Sequence, residues 1–97
     1  MPRGDAQRLD KWLFFARVVK SRSLAVKIVE QGQVRVNRRK VTKPASAVSE
    51  GDVITFAADG GVRVLKILAL GSRRGPAPEA RLLYEDLSAA QKRVPKP

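Results

Sequence analysis

The chain has 97 residues, of which 20 are Lys or Arg and 9 are Asp or Glu, giving a net charge of +11. This length predicts a single small domain, and the charge predicts an anionic partner, either nucleic acid or an anionic membrane surface. Cysteine and histidine are absent from the sequence, which excludes disulfides and thiolate metal sites and removes the usual side chain for proton transfer.

The positive charge is concentrated in the first half of the chain. Residues 1–50 have a net charge of +8, and residues 51–97 have a net charge of +3. We therefore expect the binding surface mainly in the first half. No apolar run is long enough to span a bilayer, and the N-terminal residues lack the apolar core of a signal peptide. A cytoplasmic protein with no membrane partner is expected.

The sequence has no motif that is typical of a catalytic site. Its hydroxyl residues lie in no G-x-S-x-G element, its glycines form no phosphate-binding loop, and its carboxylates show no metal-ligand spacing. We expect neither an enzyme nor a bound cofactor.

Residues 1–7 are expected to form a flexible arm, and an apolar stripe then predicts a first helix over residues 8–19. The stripe consists of Leu9, Trp12, Leu13, Ala16 and Val19. Phe14 lies away from it, and two roles are open: packing against a later segment, or a stacking platform beside Arg17. Packing is favoured because large apolar side chains are usually buried.

A basic turn, Lys20-Ser21-Arg22-Ser23, precedes a second predicted helix that extends to about residue 31. Ser21 is suited to cap its start, and Gly32 is suited to end it. The residues expected to face the core are Leu24, Ala25, Ile28 and Val29, with Lys27 facing water. Because a helix start presents free N–H groups, Lys20, Ser21 and Arg22 form a candidate phosphate clamp. A solvated turn with two incidental charges is an equally supported alternative.

A β-hairpin is predicted next, since Val34-Arg35-Val36 alternates and Asn37 tolerates a positive φ in the turn. Its outer side and tip carry five cations: Arg35, Arg38, Arg39, Lys40 and Lys43. A charged run is often only a solvated face. Here no carboxylate lies among the cations, so a polyanionic partner is the favoured interpretation.

Two further strands are predicted over residues 53–56 and 62–70, joined by Asp59-Gly60-Gly61, which is a hairpin signal. A loop follows with Arg73 and Arg74, which are two further candidate RNA contacts, and then a helix over residues 79–90 and a short basic tail. The predicted fold is α+β, with two N-terminal helices packed on a small, mostly antiparallel sheet of about four strands, plus a C-terminal helix. We expect an RNA-binding domain over residues 8–70 and a separate segment over residues 71–97.

Several short elements together resemble a known family. They are R-L-D at residues 8–10, K-S-R at 20–22, Gly32, V-x-V-N at 34–37, K-P at 43–44 and G-D at 51–52. In this order and spacing they resemble the RNA-binding domain named after small-subunit ribosomal protein four, over residues 8–56. Where that family often has glycine after the hairpin asparagine, this chain has Arg38.

A narrower resemblance extends to residues 73–85, which are similar to the segment after that domain in the ribosome-associated heat-shock protein 15 family. The resemblance implies an αL-type RNA-binding fold, association with the large ribosomal subunit, and rescue of stalled subunits that carry peptidyl-tRNA. It marks as RNA contacts Arg8, Lys11, Arg17, Lys20, Arg22, Asn37 and Lys43, with Lys27 and Arg35 as further candidates. Family members can carry a longer basic C-terminal extension.

The leading hypothesis is a non-enzymatic, monomeric protein that binds RNA of the large ribosomal subunit, with tRNA on that subunit as a further partner. One alternative is an accessory module that acts in trans with an RNA-modifying enzyme. Another is a general nucleic-acid binder, since the basic face alone does not exclude DNA. Attachment to a membrane surface is disfavoured, because the cations are spread over a turn and a hairpin instead of one amphipathic helix.

Overall fold

The computed structural model describes residues 5–58 and 61–88. Its helices are α1 (Leu9–Phe15), α2 (Arg22–Glu30) and α3 (Ala77–Ala80), the last followed by a 3-10 turn over Arg81–Leu83. Its strands are β1 (Gln7–Arg8), β2 (Val34–Val36), β3 (Arg39–Val41), β4 (Ala47–Val48), β5 (Val53–Ala58), β6 (Gly61–Ile67) and β7 (Tyr84–Asp86). The fold is α+β, as predicted.

Five strands form one antiparallel sheet in the order β3-β2-β5-β6-β7, and β1 pairs with β4 in a separate two-stranded sheet. In the main sheet, Val34 is paired with Phe56 and Ile54 with Leu65, and all four are buried. Successive side chains of a strand point to opposite faces. The face that carries these residues therefore contributes to the core that it shares with α1 and α2.

Helix α1 ends earlier than predicted, at Phe15 instead of near residue 19. Arg17 has a φ of +58°, and the N–H groups of Arg17 and Val18 donate to the carbonyls of Phe14 and Leu13. This hydrogen-bond pattern is the Schellman motif, in which the left-handed position usually belongs to glycine. Because arginine is not typical of this position, the sequence did not indicate that the helix ends here.

Helix α2 begins and ends as predicted. The Ser21 hydroxyl accepts a hydrogen bond from the Leu24 N–H at 3.1 Å, which confirms the cap, and Gly32 has a φ of +75° just beyond the helix. Leu24 itself is 39% exposed, so its predicted place in the core is wrong. The buried face of α2 passes through Ala25 and Val29, and Leu24 lies at the edge of this face in the first turn.

The turn between β2 and β3 has two residues, because Val36 pairs with Arg39 across it. Both turn residues have positive φ, +51° for Asn37 and +73° for Arg38. These values define a type I′ turn, which matches the twist of the flanking strands. Arg38 thus adopts the left-handed backbone for which glycine is better suited.

The end of the described chain differs most from the prediction. A C-terminal helix is present, but it is the short α3, and the predicted extent over residues 79–90 is wrong because residues 84–86 form β7. This strand pairs with β6, placing Tyr84 opposite Ile67, so the sheet has five strands instead of about four. The Ser88 hydroxyl then accepts a hydrogen bond from the Val64 N–H at 2.7 Å. The predicted tail lies outside the described residues.

Gln7 belongs to the folded domain and not to a flexible arm. It pairs with Val48, and its side-chain amide exchanges two hydrogen bonds with the backbone of Gly71, at 2.7 and 3.2 Å. Residues 1–4 of the expected arm lie outside the described residues. Among the described residues, the helices do not reach the length and apolar character that spanning a bilayer requires.

Candidate nucleic-acid interface

A buried carboxylate, that of Asp10, holds two arginines at the start of the two long helices. Arg8 donates to it through Nε and Nη2, both at 3.0 Å, and Arg22 donates through Nη2 at 3.2 Å. The Lys11 N–H donates to the same carboxylate at 2.8 Å. The side chain of Asp10 is 1% exposed, whereas those of Arg8 and Arg22 are 49% and 42% exposed. We call Arg8, Asp10 and Arg22 the Asp10 cluster.

The Asp10 cluster carries a net charge of +1 because Asp10 is ionised. Burial acts to raise the pKa of Asp10, but hydrogen bonds and attraction from Arg8 and Arg22 outweigh it and hold that pKa below its ordinary value. The Asp10 hydrogen bond in turn raises the pKa of the Arg8 guanidinium. One carboxylate accepting from two guanidiniums leaves their other N–H groups free to donate outward.

The sequence brings the cluster together through motif elements that are distant along the chain. The N–H groups of Leu9 and Asp10, at the open end of α1, donate to the carbonyls of Ser46 and Pro44 at 2.8 and 3.1 Å. The K-P element thereby lies against the R-L-D element. Arg22 of the K-S-R element is the first residue of α2, and its guanidinium donates to the Asp10 carboxylate.

Further cations lie on or beside these same elements. Lys11 is in α1, Lys20 precedes the cap of α2, and Lys43 precedes Pro44. No salt bridge involves these three lysines in the part of the chain that the structure describes. We call the set the helix-side cations, which are Arg8, Lys11, Lys20, Arg22 and Lys43. Ser21 lies among them and serves as the helix cap, while Lys27 is exposed further along α2.

The hairpin cations do not all lie with the helix-side cations. Arg35 and Lys40 are cross-strand partners, and they lie on the face of the sheet opposite Val34 and Val36, away from the helices. We call Arg35 and Lys40 the sheet-side cations. The predicted place of all five cations on the outer side and tip is therefore wrong for Arg39, because strand alternation puts it on the face opposite Arg35 and Lys40.

Arg39 connects the hairpin to the helix side. It lines a groove of ≈ 390 Å³ together with Ser46 and Ala47, and Ala47 is the strand partner of Arg8. Arg38 lies at the exposed tip and lines another groove, on the outer sheet face, with Thr55 and Val62.

Asn37 is exposed, but its side-chain amide is hydrogen-bonded within the chain. Its amide nitrogen donates to the Asp52 carboxylate at 3.0 Å, and its amide oxygen accepts from the Val53 N–H at 2.9 Å. The other Asp52 oxygen accepts from the Ser49 N–H at 2.9 Å. The asparagine of the V-x-V-N element and the aspartate of the G-D element are thus partners that fix two turns. The predicted RNA contact of Asn37 stays a prediction.

The three remaining predicted contacts, Arg17, Arg73 and Arg74, also have partners within the chain. Arg17 Nε donates to the Gly75 carbonyl at 2.6 Å. Arg73 forms a surface salt bridge with Glu79 at 2.6 Å. The Arg74 guanidinium lies over the Phe14 ring, 5.0 Å from its centre, which confirms that Phe14 packs against a later segment.

Asp10 is the residue whose role the sequence reasoning missed. It lies outside the apolar stripe that predicts the first helix, and it was not among the predicted RNA contacts. The signal was its position in the R-L-D element, next to an arginine and ahead of the K-S-R turn. Among the described residues, no group of acidic side chains is arranged to hold a metal ion.

Comparison with known proteins now places the chain. The S4 domain model matches residues 7–54, which include the Asp10 cluster and the hairpin. The solved trimeric structure of Vibrio cholerae heat shock protein 15 is 38% identical, with a TM-score of 0.83, over 92% of this chain and 90% of that one. The chain belongs to the heat shock protein 15 family and carries that family's S4 domain.

Two curated relatives extend the comparison. The heat shock protein 15 homolog of Haemophilus influenzae is 37% identical over 89% of this chain, and this chain spans 65% of that protein's length. The RQC P-site tRNA stabilizing factor of Halalkalibacterium halodurans is 47% identical over 49 residues, half of this chain and 54% of that protein.

Proposed function

We propose that the protein is a non-enzymatic RNA-binding protein whose target is ribosomal RNA of the large subunit, in a heat-shock or stalled-ribosome rescue role. The observation that carries this proposal is the Asp10 cluster, in which a buried carboxylate holds Arg8 and Arg22 side by side. The proposal also rests on the match of residues 7–54 to the S4 domain.

The cluster is suited to phosphate because it is arranged before binding. A guanidinium is planar and can donate two parallel hydrogen bonds to a phosphate. Asp10 already restricts the Arg8 and Arg22 side chains, so binding loses less conformational entropy than it would with free side chains. Lys20 and Lys43 add exposed charge beside the cluster. Such a surface binds the shape and backbone of a folded RNA more than its base sequence.

The names of the relatives support the ribosomal part of the proposal. One relative is a heat shock protein 15 homolog, and another is named for stabilising P-site tRNA. We therefore include tRNA on the large subunit as a second partner. The solved relative is described as trimeric, which does not support the monomer that we expected from the sequence.

The proposal is tested by binding the labelled full chain to purified bacterial large subunits, small subunits and duplex DNA at several salt concentrations. We expect preference for the large subunit and a steep loss of affinity with salt, because phosphate binding releases counterions. Equal affinity for DNA of similar length would favour a general nucleic-acid binder. Affinity that does not change with salt would contradict the proposed phosphate contacts.

A further inference from the structure

A segment beyond the S4 match lies along α1 and the turn that follows it. The Trp12 indole N–H donates to the Ala69 carbonyl at 3.1 Å, and Arg17 Nε donates to the Gly75 carbonyl. Gln7 holds Gly71 between them through two hydrogen bonds. These contacts fix residues 69–75 against the N-terminal helix.

Within this segment, Arg74 faces the protein. Its guanidinium lies over Phe14, and its Nη2 donates to the Val19 carbonyl at 3.3 Å. Its Nε is buried and has no hydrogen-bond acceptor within the described ranges. The neighbouring Arg73 is different, because its side chain is 66% exposed and pairs with Glu79 at the surface.

We infer that Arg74 is a positioning residue for RNA binding, which fixes the turn carrying Lys20 and Arg22 and does not itself contact RNA. This inference rests on the proposed function. Val19 immediately precedes Lys20, so the Arg74 contact holds one end of the turn. Asp10 holds the other end through Arg22.

Holding both ends gives the turn one conformation before RNA arrives. A flexible turn would have to be ordered on binding, at a cost in conformational entropy. The Phe14 ring stabilises this position of the Arg74 guanidinium, since a cation over an aromatic face is attracted by the ring. Phe14, Arg74 and Val19 therefore form one chain of contacts that ends at the RNA-binding turn.

The test is a double-mutant cycle on full-length protein, measured as affinity for purified bacterial large subunits. The variants are Arg74→Ala, Arg74→Lys and Phe14→Leu, each made alone and together with Lys20→Ala/Arg22→Ala. Arg73→Ala is the matched control, because it removes the same charge from the adjacent position. Thermal melting verifies that each variant is folded, and Phe14→Leu provides a second variant that keeps every charge.

We expect Arg74→Ala to weaken binding roughly tenfold alone and less than about twofold in the Lys20→Ala/Arg22→Ala background, since residues in one network are not additive. Arg74→Lys and Phe14→Leu should weaken binding in the same way, because both break the stacked contact without removing charge. Arg73→Ala should have an equal, small effect in both backgrounds.

Full affinity of Arg74→Lys, or an equal loss from Arg74→Ala in both backgrounds, would overturn the inference and indicate a direct charge contact. Amide chemical shifts of residues 18–22 separate this failure from failure of the proposed function. They should change in free Arg74→Ala whether or not the turn binds RNA, and unchanged shifts would also overturn the inference. If the shifts change but Lys20→Ala/Arg22→Ala binds normally, the assignment of RNA binding to this turn fails, and the positioning role in RNA binding fails with it.

Discussion

Nη2 of Arg22 donates a hydrogen bond to the Asp10 carboxylate at 3.2 Å, joining the first residue of α2 to the first turn of α1. Because the S4 match contains both residues, this contact belongs to the part of the chain that defines the domain. The Asp10 carboxylate therefore links the two helices, and it also holds the partly exposed side chain of Arg22.

Replacing Asp10 with Asn should lower the free energy of unfolding by about 1–3 kcal/mol at pH 7, because charged hydrogen bonds to two arginines are lost. The folded pKa of Asp10 lies below its unfolded value. Its contribution is therefore complete above the ordinary carboxyl pKa of 3.8 and is lost as the pH falls through the folded pKa. Urea denaturation should show wild type and variant converging below about pH 4. A difference that stays constant down to pH 2 would contradict an ionised, arginine-paired Asp10.

Replacing Lys20 and Lys43 with Ala should reduce the slope of log affinity against log salt by about 1.5, which corresponds to two lost phosphate contacts. The melting temperature should be almost unchanged, because both side chains are exposed and neither forms a salt bridge within the described ranges. Lys66→Ala/Arg81→Ala is the matched control, with the same change in net charge at exposed positions elsewhere. An equal slope change in the control would mean that only net charge matters.

Replacing Arg38 with Gly should stabilise the protein by up to ~1 kcal/mol. A left-handed conformation costs a non-glycine residue about 1–2 kcal/mol, and the greater freedom of glycine in the unfolded chain offsets part of the gain. Urea denaturation measures the difference. Ala57→Gly, in the regular strand β5, is the control and should destabilise. A less stable Arg38→Gly would show that the Arg38 side chain contributes more than its backbone conformation costs.

Replacing Leu13 with Ala should destabilise the protein by about 2–5 kcal/mol, because removing most of a buried side chain leaves a cavity in the core. The same substitution at Leu24 should cost less than about 0.5 kcal/mol, since that side chain is partly exposed and lies at the edge of α2. Thermal or urea unfolding compares the two variants. Similar losses would contradict the placement of Leu24 outside the core.

Local chemistry made part of this fold predictable. Ser21 marks the start of α2 through its hydroxyl, and Gly32 marks its end because a residue without a side chain readily adopts a positive φ. Asn37 marks the hairpin turn because asparagine also tolerates a positive φ. These features depend on neighbours a few residues away. The apolar stripe of α1 likewise identified Trp12 and Leu13, which are fully buried.

The features that were missed depend on distant partners. Arg17 adopts a left-handed conformation at the end of α1, and its Nε donates a hydrogen bond to the carbonyl of Gly75, which is distant in sequence. Tyr84 begins a strand because this segment pairs with the edge strand β6. The pairing with β6 outweighs the helical pattern of the segment's sequence. Strand alternation separated Arg35 from Arg39, a division that charge counting along the sequence does not show.

We propose that the helix-side cations contact RNA; they lie around the starts of α1 and α2, and Asp10 holds two of them, Arg8 and Arg22. The most direct measurement is ultraviolet crosslinking of the full chain to purified bacterial large subunits, with the crosslinked residues identified by mass spectrometry. We expect crosslinks to ribosomal RNA within residues 8–22 and 43–47. Crosslinks confined to residues 61–68 and 84–88, on the far strands of the sheet, would contradict it.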